Sequence, residues 1–282
     1  MSKHVKNSSA TPESSVGNNQ SAGFWKKFGI DAILVLVCVL LAGSLLWRRY
    51  TAVHDWALSY AGGVISGPLS PESAAKYHAY YTGDPSMLYL TIDCGYENGN
   101  TQAILNTLEE YDVPAAFFLA GAILKNNPEA VQALANSGHI IGNHTLNHPD
   151  PEDIHSFREW EEQLVQVETL YEQITGKPLD KYCRPPEGRF SRQVLRWNEK
   201  MGYTTLFWNV GAGNYNDWDP DDQPTAEEAL NTLTTFSQGG SVILIHNTSS
   251  TSAQILGQFI EECRAQGYTF GSLDELCAYY AR

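Results

Sequence analysis

Residues 87–99 read Met87-Leu88-Tyr89-Leu90-Thr91-Ile92-Asp93-Cys94-Gly95-Tyr96-Glu97-Asn98-Gly99. The alternating run from Met87 to Ile92 is of strand type and ends at Asp93, which enters a turn carrying Gly95, so a strand would deliver a carboxylate at its carboxyl end. Two more strings have the same form. His144-Thr145-Leu146-Asn147-His148 follows the strand-type run 139–142, and Arg184-Pro185-Pro186-Glu187-Gly188 follows 181–183. A carboxylate, a histidine pair and an arginine are the parts of a metal-assisted hydrolase. Gathered at the carboxyl ends of neighbouring parallel strands, they would stand where barrel enzymes keep their chemistry.

Around these strings, strand-like runs at 87–93, 115–119, 139–142, 181–184, 203–208, 241–246 and 268–270 alternate with amphipathic helices. That rhythm implies a parallel sheet covered by helices. The fold class expected is therefore α/β, a distorted (β/α)7-type barrel. Several helix ends are legible: Pro128 opens one helix and Gly138 follows it, Ser156 with Glu159 forms a capping box that Gly176 closes, and Ser272 with Glu275 opens a last helix over 273–280.

The 282 residues allow one domain of roughly 220 to 230 residues plus an anchor. Residues 1–27 are polar and read as a disordered cytoplasmic tail. Residues 28–47 carry only Asp31 as a charge, and at about 1.5 Å per residue they nearly span a hydrocarbon layer of roughly 30 Å. They read as an N-terminal transmembrane helix, favoured over a cleaved signal because the polar segment ahead of them is long. Lys26 and Lys27 before the span balance Arg48 and Arg49 after it. The short lysine-bearing tail is placed inside, which makes the chain a single-pass cell-membrane protein with its domain outside. Residues 48–86 read as juxtamembrane segment and domain entry, and 87–282 as the catalytic domain. The net charge of −14 supplies no basic surplus for phosphate backbones, which argues against nucleic acid as a partner. Five Cys are too few for a disulfide framework.

His144 and His148 are spaced i, i+4, so on a helical turn both imidazoles would face one metal ion, although most such pairs are surface or capping histidines. Asp93 would be rigidly held, for catalysis or for turn hydrogen bonds. Arg184 offers a two-donor fork that would orient Asp93 and keep it ionised, or else a surface ion pair. His246 ends the buried run 241–245 as a proton donor or a core histidine. Asp217 would hold His246 and Trp218 would wall the pocket, unless the segment is an ordinary solvated turn.

Together the strings resemble the polysaccharide deacetylases with the NodB homology domain, carbohydrate esterase family 4, over roughly residues 54–282. The family's Thr-Phe-Asp-Asp-Gly appears as Thr91-Ile92-Asp93-Cys94-Gly95. The motif His-(Ser/Thr)-x-x-His is intact at 144–148, Arg-x-Pro-x-Gly at 184–188 and Leu-x-His at Leu244-Ile245-His246; Asp217-Trp218 is assigned to the looser fourth motif. Tyr96-Glu97-Asn98-Gly99, Gly142-Asn143, and Arg184-Pro185-Pro186 followed by Phe190-Ser191 are similar to the muramic acid deacetylase branch that makes δ-lactam in spore cortex. The resemblance implies removal of an acetyl group from an N-acetylated sugar of peptidoglycan glycan strands. Asp93 would be general base and His246 general acid, tuned by Arg184 and Asp217. A divalent metal, expected to be Zn²⁺, would sit on His144 and His148, with Cys94 as a candidate third ligand where most of the family has Asp. Tyr96, Asn98, Pro186, Gly188 and Trp218 would contact substrate. The alternatives are an N-acetylglucosamine deacetylase and, because of Cys94, a membrane-anchored glycan-binding protein without turnover.

Overall fold

The computed structural model describes residues 19–56, 60–61, 64–65, 68–212 and 217–282. The chain divides into two compact units, Met1–Tyr50 and Thr51–Arg282. In the first, a helix runs Asn19–Thr51, within which Asp31–Thr51 is long and apolar enough to cross a membrane, as a signal sequence would also be. This helix extends further than the expected span 28–47. Residues 19–27 of the tail read as disordered are helical, because no Pro stops the helix from propagating back from its apolar stretch. Residues 1–18 lie outside the described residues.

The second unit is built on nine parallel strands: β1 (Ala79–Tyr80), β2 (Met87–Cys94), β3 (Ala115–Leu119), β4 (Ile140–Asn143), β5 (Tyr182–Cys183), β6 (Thr204–Leu206), β7 (Val210–Gly211), β8 (Val242–His246) and β9 (Thr269–Phe270). Their order is β7-β8-β2-β3-β4-β5-β6-β1, with β9 paired to the start of β2. Of the strand expected at 203–208 only β6 forms, pairing with β5 and β1, while β7, four residues on and not anticipated, pairs with β8. This bent segment, with the antiparallel bridge Thr82–Ser241, curls the sheet into a distorted barrel.

Side-chain alternation sorts β2 into two faces. Leu88, Leu90, Ile92 and Cys94 join the core between the sheet and its helices, including Thr101–Glu110, Pro128–Asn136 and Ser250–Ala265. Tyr89 faces the barrel interior with Ala116, Phe118, Leu206, Phe207, Trp208 and Leu244, and Thr91 and Asp93 share its parity. The helix ends follow the sequence. Ser156 Oγ accepts from the Glu159 amide and left-handed Gly176 closes the helix Phe157–Thr175, although the Glu159 carboxylate takes the His155 amide rather than completing a box. Ser272 and Glu275 form the full box of Leu273–Tyr280.

The compact unit begins well before residue 87. Trp56 is fully buried inside it, and His54–Asp55 pairs antiparallel with Arg189–Phe190.

Candidate active site

Register brings the chemistry together at the carboxyl ends of the strands. His246, last residue of β8, pairs with Asp93 near the end of β2, and Asn143, last of β4, pairs with Cys183 of β5, so His144 and Arg184 leave their strands side by side. Asp93, His144, His148, His246, Tyr96 and Trp218 line one cavity of about 600 Å³, the size of a small-ligand site.

Arg184 is the hub. Its guanidinium, wholly removed from solvent, donates from Nη1 to Asp93 Oδ1 at 2.7 Å, from Nη2 to Thr91 Oγ1 at 2.7 Å and from Nε to the Leu206 carbonyl at 3.3 Å. Its plane lies over Phe118, 4.4 Å from the ring centroid. Burial alone would raise the Asp93 carboxyl, but the adjacent Arg184 guanidinium above all, with the imidazoles of His144 and His246 beside it, holds it below the ordinary carboxylate range. Asp93 is therefore a buried carboxylate kept ionised, as a general base requires.

The histidine pair converges, but not on a helix. Residues 144–148 form an irregular turn in which Thr145 (φ 66°) and His148 (φ 51°) adopt left-handed backbone, a conformation costing about 1–3 kcal/mol each. Asn143 stabilises the turn by accepting the Thr145 amide at 2.9 Å on Oδ1, while its Nδ2 donates to the Leu164 carbonyl and Tyr203 hydroxyl. The two imidazoles meet edge to face at 5.0 Å. His144 Nδ1 lies 2.8 Å from the Arg184 carbonyl; because a carbonyl only accepts, Nδ1 carries the proton and Nε2 presents its lone pair. Burial keeps His144 below its ordinary pKa, and burial, with the His144 imidazole beside it, lowers His148 to about 4.

His144 Nε2 faces Asp93 Oδ2 at 3.5 Å. A lone pair and a carboxylate oxygen, both acceptors, thus confront each other in a largely buried site, an arrangement that a cation nearby would relieve. The neutral imidazoles therefore fit a divalent metal, although among the described residues no ready-made cluster of three His, Cys, Asp or Glu is present.

Cys94 does not supply the missing ligand. The residue after Asp93 points to the other face of β2, where its thiol is fully buried in the outer core and does not line the cavity. Burial, together with the nearby Asp93 and Glu97 charges, pushes that thiol far above its ordinary pKa, so it is a neutral core side chain.

Across the cavity Asp217, fully buried, accepts His246 Nδ1–H at 2.8 Å on Oδ1, and on Oδ2 the His246 amide at 3.0 Å and the Ser252 hydroxyl at 2.8 Å. Burial works against the imidazolium, but the Asp217 contact outweighs it and raises His246 above its ordinary value. Nε2 is left for the cavity. Residues 213–216 of the segment read with Asp217 lie outside the described residues.

Of the expected substrate contacts, Tyr96 and Trp218 stand at the cavity, 41% and 54% exposed. Their backbone carbonyls are held by Asn247 Nδ2 and Thr248 Oγ1, the two residues after His246. Asn98, Pro186 and Gly188 do not line it. Asn98 ties its loop to the Thr248 carbonyl, and buried Pro186 and Gly188 shape the arginine loop. Gly188 is required there: its φ is 67°, and a Cβ would come within 2.7 Å of Trp208 and 2.8 Å of Trp56. Sequence reasoning missed Glu187, Trp208 and Thr248 as lining residues. Glu187 and Thr248 lie inside or beside the motifs and were findable by proximity. Trp208 comes from the bent segment, whose position no local pattern discloses.

A polysaccharide deacetylase family model matches residues 80–206. The chain is 36% identical over 203 residues to the peptidoglycan-N-acetylmuramic acid deacetylase PdaA of Bacillus subtilis, covering 71% of this chain and 76% of that protein. It is 30% identical over 217 residues to a peptidoglycan-N-acetylglucosamine deacetylase of Bacillus cereus, covering 74% and 76%. The solved structure of Bacillus subtilis PdaA, a family 4 carbohydrate esterase, superimposes with a TM-score of 0.73 at 32% identity over 82% of this chain and 99% of that one. Barrel, site and similarity agree, and the chain belongs to the polysaccharide deacetylases of carbohydrate esterase family 4.

Proposed function

We propose that this deacetylase removes the N-acetyl group of N-acetylmuramic acid residues in peptidoglycan, in the route to muramic δ-lactam of spore cortex, with a divalent metal, Zn²⁺, held by His144 and His148. The observation that carries this reading is the pairing of two oppositely tuned groups on one cavity, an Asp93 carboxylate kept ionised by Arg184 and a His246 imidazolium favoured by Asp217. The likeness to PdaA over 71% of the chain favours the muramic sugar.

When bound, the metal supplies Lewis-acid polarisation of the amide carbonyl and a more acidic water. Asp93 takes the proton of the attacking water. His246 Nε2, directed by the Nδ1–H bond to Asp217, donates a proton to the leaving nitrogen as the C–N bond breaks, giving acetate and a free amino sugar. Arg184 keeps Asp93 in place and unprotonated. Tyr96 and Trp218 offer apolar faces at the mouth on which pyranose rings pack. The apolar helix ending at Thr51 serves as a retained membrane anchor with the catalytic unit outside the cell, where its glycan substrate lies.

The test is acetate release from peptidoglycan with and without stem peptides, with added Zn²⁺ and with chelator, reading muropeptide masses in parallel. Metal-dependent loss of acetyl from muramic acid is the expected result. Loss from glucosamine instead would favour the second reading, for which the likeness to the Bacillus cereus enzyme speaks.

A further inference from the structure

The segment that follows the apolar helix is built into the wall of the active site. Trp56 is fully buried, stacked on Phe207 at 4.3 Å and 11°, edge-on to Tyr81 at 4.8 Å and tilted against Phe190 at 6.0 Å. Its indole N–H donates to the carbonyl of Trp208, a cavity-lining residue, at 2.7 Å. Its amide donates to the carbonyl of Gly188, the glycine closing the arginine loop, at 3.3 Å. One and two residues earlier, Asp55 pairs with Arg189 and His54 with Phe190. Arg189 in turn forms ion pairs with Asp150 and, at 3.2 Å, with Glu152, which lie two and four residues past His148. A single extended stretch thus touches the arginine loop, the Trp208 wall and, through Arg189, the chain that carries the second histidine.

We propose that residues 54–56 are a positioning strap of the catalytic site, with Trp56 holding the 184–190 loop and Arg189 passing that restraint to the turn bearing His148. The physical need is plain. The arginine loop contains a left-handed Glu187 (φ 53°) and Gly188, and the histidine turn contains left-handed Thr145 and His148. Such backbone persists only where surrounding contacts over-determine it. The histidine turn has no regular structure and the arginine loop only the short 3-10 turn Pro186–Gly188, itself broken at Glu187, and the two-residue strand Arg189–Phe190, so the strap supplies part of what secondary structure does not. Trp56 and Arg189 touch no reacting atom in this scheme; they act through the loops they hold.

The experiment uses the full-length chain in detergent micelles, comparing wild type with Trp56→Ala, Trp56→Phe and Arg189→Gln, and with Leu134→Ala as an outer-core control of stability. Backbone hydrogen exchange, Zn²⁺ affinity by chelator competition, and kcat and KM for acetate release are measured, with Tm recorded for each variant. The expected result for Trp56→Ala is faster exchange at 148–153 and 184–190 with the helix Ser250–Ala265 unchanged, and a loss of about 10–100-fold in Zn²⁺ affinity and kcat, as for other supports of metal ligands. Trp56→Phe, which keeps the stacking and loses the N–H bond, should fall between. Arg189→Gln should loosen 148–153 and weaken Zn²⁺ binding with little change in Tm. The proposal is overturned if Arg189→Gln and either Trp56 variant keep exchange and Zn²⁺ affinity within about twofold of wild type, or if Leu134→Ala reproduces their losses. Should Trp56→Ala fail to fold, Trp56→Phe and Arg189→Gln decide. The zinc and turnover readouts rest on the deacetylation reading and the exchange readout does not, so a wild-type chain that releases no acetate sinks that reading while exchange still judges the strap.

Discussion

Arg184 Nη1 stands 2.7 Å from Asp93 Oδ1 with the guanidinium fully enclosed, and the same residue offers its backbone carbonyl to His144 Nδ1 at 2.8 Å. One residue thus sets the charge of the Asp93 carboxylate and the tautomer of His144. A buried pair of this kind is justified by what it positions, since two charges removed from water gain little net stability from each other.

Arg184→Met should leave Asp93 buried without its counter-charge. We expect a stability loss of about 3–5 kcal/mol by denaturant unfolding. The sign in pH follows from the cause. Asp93 is held below its ordinary range, so its ionised form persists and its contribution to stability is lost only as pH falls through that lowered value. Without Arg184, burial dominates, and the acid limb of any residual activity should move to higher pH.

Asp217→Asn removes the main influence that raises His246. His246 must be protonated to donate, so the alkaline limb of kcat should move to lower pH in the variant. An unmoved limb would separate His246 from the proton donation assigned to it.

Cys94→Ala should leave Zn²⁺ affinity unchanged, because the thiol packs in the outer core. Cys94→Ser should also bind Zn²⁺ normally, yet lose about 1–3 kcal/mol of stability for burying a hydroxyl among apolar side chains. Chelator competition and thermal unfolding on both variants check this, and a fall in affinity would return Cys94 to the ligand set.

Trp218→Ala and Tyr96→Ala should raise KM severalfold with a smaller change in kcat. Both rings are exposed at the cavity mouth, and stacking of about 0.5–1.5 kcal/mol per contact corresponds to roughly 2–13-fold in binding. Steady-state kinetics on soluble muropeptides distinguishes this from a change confined to kcat.

Strand period and cap chemistry disclose the parallel α/β barrel and the strand ends that carry Asp93, His144, Arg184 and His246, whereas the partnership of Asp217 with His246 is one of two open readings until the fold brings them together. The barrel and its strand ends are legible because strand period and cap chemistry are local, and because the three motif strings carry their side chains at strand exits. Tertiary structure alone decided the rest. Which face Cys94 takes depends on where β2 ends relative to its turn: with the strand continuing through residue 94, alternation sends the thiol to the core. The His144–His148 convergence looked helical from its spacing, yet is made by left-handed residues held by Asn143 and a neighbouring strand. The early end of β6 and the burial of Trp56 depend on how the barrel closes, a matter of contacts between residues far apart in the chain, such as Trp56 with Trp208, 152 positions away, and Ala79 with Thr205. Such contacts leave no periodicity in the chain, because their geometry is set by the closed sheet and not by any neighbour in sequence.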